Sequence, residues 1–298
     1  MITRGAISEL LAPDLRQVYV EVGKERPKEY PLVFNVSDME WNPVTDFQVS
    51  GLGTMPVKLE TEQFTMDDLI TGGSKSYTAV PYGLAVEFSW EAWREELYGV
   101  MQEMVRCLAR AGRNREEVAA WSVFNNAFST SYTGFTASEA LCSTAHTGLD
   151  GESRANRPSP DIGFSITGIQ NSITRFEDLT DERNLPQLLA PSKIIITSAN
   201  KFIAREIFGS AGKPYTADNE INALVDDDLS FMVCHYITTS TYWFNIANKG
   251  QHDINFMWRD HPIFDMFDDP FTKNAVATAY QRHISGYGSW RGVDGSTG

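Results

Sequence analysis

The stretch from Ser89 to Phe128 constrains the fold of this chain more than any other. Its apolar residues Trp90, Trp93, Leu97, Val100, Met101, Met104, Leu108 and Ala111 recur at steps of three and four, the period of one helix face. Ser89 stands at the N-cap position, with Glu91, Glu95 and Glu96 in the first turns and Arg106, Arg110 and Arg113 later. The side-chain charges therefore complement the helix dipole at both ends. Gly112 interrupts the pattern and marks the place for a kink, and Val118, Trp121, Phe124 and Phe128 resume it, so the reading is one long element. At about 1.5 Å per residue it spans well over half the diameter of an ordinary domain. Such a helix is a beam for building on, and nothing in it has a catalytic pattern.

Before the helix, Phe47 to Phe88 has two strand-like ends, Phe47-Gln48-Val49 and Ser76 to Phe88, around a middle rich in Gly, Thr and acid (Gly51, Gly53, Glu60, Glu62, Asp67, Asp68, Gly72, Gly73). This predicts a long hairpin, and loops of that length in a compact domain usually reach out to do something. Its apolar residues Met55, Val57, Leu59, Phe64, Met66, Leu69 and Ile70 are too few for a core of their own but enough to lie on another surface. Met1 to Asp46 holds a short helical candidate, Ile7 to Leu15, and an extended piece, Tyr30 to Asn35, and reads as an arm that needs neighbours.

After the helix, Thr130 to Pro160 is polar, and Ile166, Ile169, Ile173 and Phe176 mark a second amphipathic helix. Lys193 to Thr197 reads as a short buried strand, Ser198 as the cap of a third helix to about Phe208, and Gly209 to Asp228 as a polar loop. Phe231 to Ile237 with Tyr242 to Ala247 reads as a hairpin, and Ile254 to Trp258 as a further strand. Asn274 to Gly286 is divided: Ala275, Ala277 and Ala279 favour helix, while Val276, Thr278, Tyr280 and Ile284 alternate at period two.

A chain of 298 residues, 42% hydrophobic and 21% charged, can bury a sizeable core. No apolar run approaches the ~20 residues of a membrane span. Met1 to Gln17 lacks the apolar region of a secretory signal, so cytoplasmic synthesis of a soluble protein with no membrane partner is expected. Cys107, Cys142 and Cys234 are too few and too far apart for a disulfide framework or a zinc knuckle and read as buried thiols. The net charge of -14 argues against a protein that grips phosphates, but it suits a wall that holds nucleic acid without sticking to it.

Cys142, His146 and Asp150, at four-residue steps, raise a metal site or a Cys-His nucleophile. Gly148 and Gly151 break the helix that would align them, which leaves a loop in which His146 bonds backbone. His235 beside Cys234 points to the opposite face of a strand, with core packing the plain reading. Asp226-Asp227-Asp228 lacks calcium-loop spacing, Asp265, Asp268 and Asp269 are no better placed, and Gly51 and Gly53 lack the rest of a phosphate loop. The residues therefore predict no catalytic, cofactor or metal site, and no enzyme.

Several blocks carry a likeness to a known family: Gly72 to Gly99 (GGSKSYTAVPYGLAVEFSWEAWREELYG), Phe124 to Phe128 (FNNAF), Ala140 to Gly151 (ALCSTAHTGLDG), Asn156 to Pro158 (NRP), Tyr215 to Leu224 (YTADNEINAL) and the closing YGSWRGVDGSTG. In sequence and order they resemble the tailed-bacteriophage major capsid proteins of the phage Mu head-subunit family, over roughly Phe47 to Gly298. The resemblance implies an α+β fold, that of the tailed-phage major capsid protein, shared with the herpesvirus capsid floor. It implies an N-terminal arm (1–46), an extended loop (47–88), a spine helix with peripheral domain (89–164), an axial domain (165–250), returning peripheral strands (251–285) and a tail (286–298). It also turns Asn274 to Gly286 into a strand.

The implied function is structural: self-assembly into hexamers and pentamers that form the icosahedral head around double-stranded DNA, built in the bacterial host cytoplasm. Implied partners are its own copies, a scaffolding protein or protease, the portal, a decoration or cement protein, and DNA held non-specifically. Only a short arm precedes the family-like blocks, so closure is expected to need a separate scaffold. Some relatives join subunits through a loop Lys and a neighbour's Asn, which directs attention to Lys58 and Lys75, with non-covalent assembly the favoured expectation. Asp226, Asp227, Asp228 and Glu220 are expected on the axial loop, where copies concentrate negative charge. The alternatives are an encapsulin-like compartment of the same fold and a Cys-His hydrolase on Cys142 and His146.

Overall fold

The structure, a computed structural model, describes residues 5–25, 27–89, 91, 98–210, 212, 221–225, 229–269, 271–272 and 274–298. Among the described residues the helices are α1 (Gly5–Lys24), α2 (Tyr98–Asn125), α3 (Ile166–Glu177) and α4 (Lys201–Gly209). The strands are β1 (Asn35–Asp38), β2 (Val44–Val49), β3 (Thr71–Tyr77), β4 (Val80–Phe88), β5 (His146–Thr147), β6 (Ser153–Arg154), β7 (Pro191–Thr197), β8 (Ser230–Cys234), β9 (Trp243–Ala247), β10 (Ile254–Asp268), β11 (Ala275–Tyr287) and β12 (Val293–Ser296). The chain divides into two compact units: Met1–Val44, Tyr77–Ala120 and Phe256–Ser285 form the first, and Thr45–Ser76, Trp121–Asn255 and Gly286–Gly298 the second.

In the first unit, α2 runs 28 residues without interruption at Gly112. Met101, Val105 and Leu108, three and four apart, bury against Leu15, Phe88, Phe264, Ala277 and Ala279. Val100 and Val118, expected on the apolar face, are about half exposed, and Phe128 lies past the helix end. Trp90, Trp93, Glu95, Glu96 and Leu97 fall outside the described residues. The sheet has the order β1-β10-β11-β4, and β11 pairs antiparallel with β4 from Ala275 opposite Phe88 to His283 opposite Val80. Along β11 every second residue is buried: Ala277, Ala279, Gln281, His283 and Ser285. The period-two reading of this stretch therefore wins over its alanine content. The two alanines are small enough to let the α2 backbone come within bonding reach, where Gln281 Nε2 donates to Gly112 O (3.0 Å) and Ser285 Oγ to Ala119 O (2.5 Å). Strand β10 continues to Asp268, ten residues beyond the expected Trp258, because its charged second half is paired within the sheet while its side chains reach solvent.

The segment read as an unsupported arm finds much of its support in its own unit. Helix α1 continues past Leu15 to Lys24, carrying Pro13 within it. Tyr30–Leu32 is a 3₁₀ turn and not an extended piece, with Pro31 supplying the helical φ at its start. Leu15, Tyr30, Val33 and Phe34 are buried, and the Glu117 carboxylate accepts the backbone N–H groups of Glu29 (2.8 Å) and Tyr30 (3.1 Å). His283 is fully buried among Tyr82, Phe256 and Trp258, with ring centroids 4.8–5.1 Å away. Burial, then the charges of Arg115 and Lys28, pull its pKa down to about 4, so the ring packs as a neutral aromatic.

In the second unit, β7 is the central strand. It pairs parallel with β8 (Ile195 opposite Met232) and antiparallel with β9 (Ile195 opposite Phe244), and β12 adds outside β9. The expected hairpin of Phe231–Ile237 with Tyr242–Ala247 is therefore not formed: both strands flank β7, whose Ile194-Ile195-Ile196 run is apolar on both faces and demands cover on both. Ile194, Ile196 and Trp243 pack with Ile169 of α3 and Ala204 and Ile207 of α4. Phe244 meets Phe124 (5.0 Å) and Phe128 (5.6 Å). Ser165 caps α3 by accepting from Gly168 N. Ser198 is not the cap expected for α4: it opens a 3₁₀ turn, and Asn200 stands at the α4 N-terminus without a side-chain cap.

Candidate assembly surface and the predicted site residues

The hairpin is present, with different arms from those expected. Strand β2 pairs with β3, and the second strand-like stretch, Ser76 to Phe88, is divided: β3 ends at Tyr77, and β4 joins the other sheet. The backbone of residues 50–70 has no regular secondary structure apart from a turn. Its neck is closed by Ser50 N to Ile70 O (2.9 Å), Ile70 N to Ser50 Oγ (3.2 Å) and Gly53 N to Asp67 Oδ2 (2.8 Å). Arg183 Nη2 donates to Asp67 Oδ1 (3.0 Å) and Asp68 O (2.8 Å), and the Gly53 N–H, then Arg183, hold the Asp67 carboxyl below its ordinary range. At the base, Gln48 Nε2 donates to Glu182 Oε1 (3.3 Å) and Lys75 Nζ to Thr133 O (2.5 Å).

Among the described residues, the contacts beyond that neck are the loop's own. Leu59 and Glu62 bond each other, and Lys58 Nζ lies 5.0 Å from the Phe64 ring centroid. Met55 is 99% exposed, Met66 96%, Val57 90% and Phe64 81%, a run of large apolar side chains in water. Single exposed apolar residues are ordinary, whereas several large ones within one loop draw attention to it as a surface. The segment is thus held at its base and carries exposed apolar side chains beyond it.

The Cys142, His146 and Asp150 triplet does not form one site. Cys142 is buried, and burial pushes its thiol well above the ordinary value, the reverse of an activated nucleophile. His146 is buried with Nδ1 3.1 Å from Glu139 Oε2 and Nε2 2.8 Å from Asn156 Oδ1, so it bonds side chains and not the backbone. Its ring stacks on Trp290 at 4.1 Å and 4°. Asp150 is bidentate with Arg154 (2.9 and 2.6 Å), which draws its pKa down to about 2. Asn156, whose functional weight was not legible beforehand, ties Leu141 O (2.8 Å) to Val293 O (2.9 Å).

Of the other candidates, Cys234 is buried and His235 exposed, so only the cysteine packs inside, and Cys107 is exposed, not buried. Asp265 meets Arg16 at 3.5 Å, and Asp269 accepts Phe271 N and Thr272 Oγ1. Asp226, Asp227, Asp228 and Glu220 lie outside the described residues. Among the described residues no group of three or more His, Cys, Asp or Glu is arranged to hold a metal, and no helix is long and apolar enough to cross a membrane.

The fold is that of solved capsid subunits. A virus-like particle from Pyrococcus furiosus aligns at TM-score 0.55 and 8% identity, covering 95% of this chain and 97% of its own. The procapsid of bacteriophage JBD30 aligns at 0.55 and 10%, covering 98% and 75%. The capsid of Ralstonia phage GP4 aligns at 0.55 and 8%, covering 90% and 88%. Curated proteins give no significant match. A family model described as phage capsid protein matches residues 73–293, well over half of the 298, and with the α+β fold it shows that the chain belongs to the phage capsid protein family.

Proposed function

We propose that this chain is the major subunit of a tailed-phage head, assembling with its own copies into hexamers and pentamers of an icosahedral shell around double-stranded DNA. The observation that carries this reading is the exposed apolar loop at residues 54–66, anchored at its neck and left uncovered by the described residues of its own chain. Laid on a neighbouring copy, it buries what water now faces, and the gain repeats at every position in the shell. Within the family, the likeness to the phage Mu head subunit supports a map of extended loop, spine helix α2 and an axial domain around β7. The acidic residues Asp226 to Asp228 would then surround the capsomer axis. Scaffold, portal and DNA are the partners such a shell requires, and the subunit works by interface formation without catalysis. The buried Cys142 and the doubly bonded His146 weigh against a hydrolase. Negative-stain microscopy of the purified protein with its scaffold should display hollow particles or capsomers. A monodisperse species of about 33 kDa at every concentration and salt would sink the reading.

A further inference from the structure

We propose that Trp41 of one copy seats in an aromatic pocket on the next copy, with Glu40 beside it reaching Arg115 at that pocket. The inference rests on the self-assembly proposed above and names one contact through which it runs.

Trp41 is the knob. Large aromatic side chains dominate interface energetics, so a tryptophan left 76% exposed on a fixed backbone is built to meet something. The backbone is held on both sides of it. Met39 N donates to Trp258 O (2.7 Å), Arg259 Nη1 donates to Met39 O (2.9 Å) and Glu40 O (2.8 Å), and Asn42 Oδ1 accepts Ala79 N (3.0 Å). Little ordering is left to be done on binding.

The hole lies in the same compact unit, a cavity of about 430 Å³ lined by Tyr19, Tyr82, Leu84, Leu108, Arg115 and Tyr280. That is the size and character of a pocket for an aromatic group. Two glycines keep it open: a Cβ on Gly112 of α2 would lie 3.5 Å from Tyr19 Oη, and one on Gly83 of β4 3.7 Å from Tyr280 Cδ2, so longer side chains there would take up the space. Glycine inside a helix is worse than alanine by roughly 1 kcal/mol, and α2 carries Gly112 without a break. An open pocket is what that residue provides.

The charges match as well. Arg115 stacks on Tyr82 at 4.1 Å, and among the described residues no carboxylate pairs with its guanidinium and no cation pairs with the Glu40 side chain. Among the described residues two aromatics, Phe64 and Phe271, are more exposed than Trp41 and fit less well. Lys58 already lies over Phe64 at 5.0 Å, and Asp269, the acid near Phe271, accepts Phe271 N and Thr272 Oγ1 of its own turn. Because knob and pocket are different surfaces of one subunit, the contact is head-to-tail, the kind that closes copies into a ring.

The test uses the full chain with Trp41→p-benzoylphenylalanine, irradiated in particles assembled from mixed nitrogen-15-labelled and unlabelled copies. Crosslinks should join two copies and map to residues 81–84, 108–115 or 279–281. Glu40→Arg and Arg115→Glu should each raise the subunit concentration needed for assembly about tenfold, since each sets like charges together. The two reversals in one chain should restore assembly, with circular dichroism unchanged throughout. Crosslinks that map elsewhere, single variants that assemble like wild type, or a doubly reversed chain no better than the singles would overturn the contact and leave the head-subunit reading in place. A wild type that forms no particles overturns that reading and the contact with it.

Discussion

Deleting residues 54–66 and joining Gly53 to Asp67 should abolish shell assembly while leaving the subunit folded. The bonds that close the neck, Ser50 N to Ile70 O (2.9 Å) and Ile70 N to Ser50 Oγ (3.2 Å), lie outside the deletion and remain to hold the hairpin base. The four most exposed apolar residues of this loop, Met55, Val57, Phe64 and Met66, go with the deletion. Each such side chain is worth about 1.5–3 kcal/mol when fully buried, a loss borne by association and repeated in every copy. Circular dichroism and thermal melting should match unassembled wild type, and sedimentation should find no particles. Unfolding of the shortened chain would place the loop in the subunit core, and normal shells would remove its role in contact.

The largest loss of subunit stability is expected at Arg175. Asp294, on β12, is 2% exposed, and Arg175 of α3 grips it through Nε (2.7 Å) and Nη2 (2.8 Å). Burial raises the Asp294 pKa, and the arginine opposes that rise. Arg175→Met leaves a buried carboxylate without its charge partner, with only the Ser172 side chain still bonded to it, which costs about 3–5 kcal/mol. The sign with pH follows: the unpaired carboxyl in the folded state takes a proton more readily than the unfolded one, so the variant should regain stability as pH falls. Pairing Arg175→Met with Asp294→Leu should recover most of the loss at neutral pH. Urea unfolding of the unassembled chain measures all three, and a loss under about 1 kcal/mol for the single variant would show that the pair is not energetically closed.

The elements with strong internal periodicity were legible. Met101 and Leu108 of the α2 stripe and Ile169 and Phe176 of the α3 face record burial on one side, while the alternation of Val276, Thr278, Tyr280 and Ile284 marked β11 as a strand but its buried face is the opposite one, Ala277, Ala279, Gln281, His283 and Ser285. Partner choice was not legible. Phe231–Cys234 and Trp243–Ala247 are near in sequence and look like a hairpin, but the isoleucines of β7 decide their pairing, and that is a tertiary effect. The charged half of β10 hides its strand character because its pairing comes from neighbours and not from burial. At the candidate surface, the sparse apolar residues of the loop announced exposure correctly. The network around His146 was hidden because Glu139 and Asn156, though near in sequence, are brought to it by loops that match no spacing rule, and Trp290 comes from a distant part of the chain.

The projecting loop as a contact between copies can be tested directly through Met55 and Met66, which stand 99% and 96% exposed in the single chain. Oxidation to the sulfoxide, followed by mass spectrometry, should proceed at solvent-exposed rates in the unassembled subunit and at least tenfold more slowly in closed shells. Equal oxidation of both methionines before and after assembly would mean that no second copy covers them.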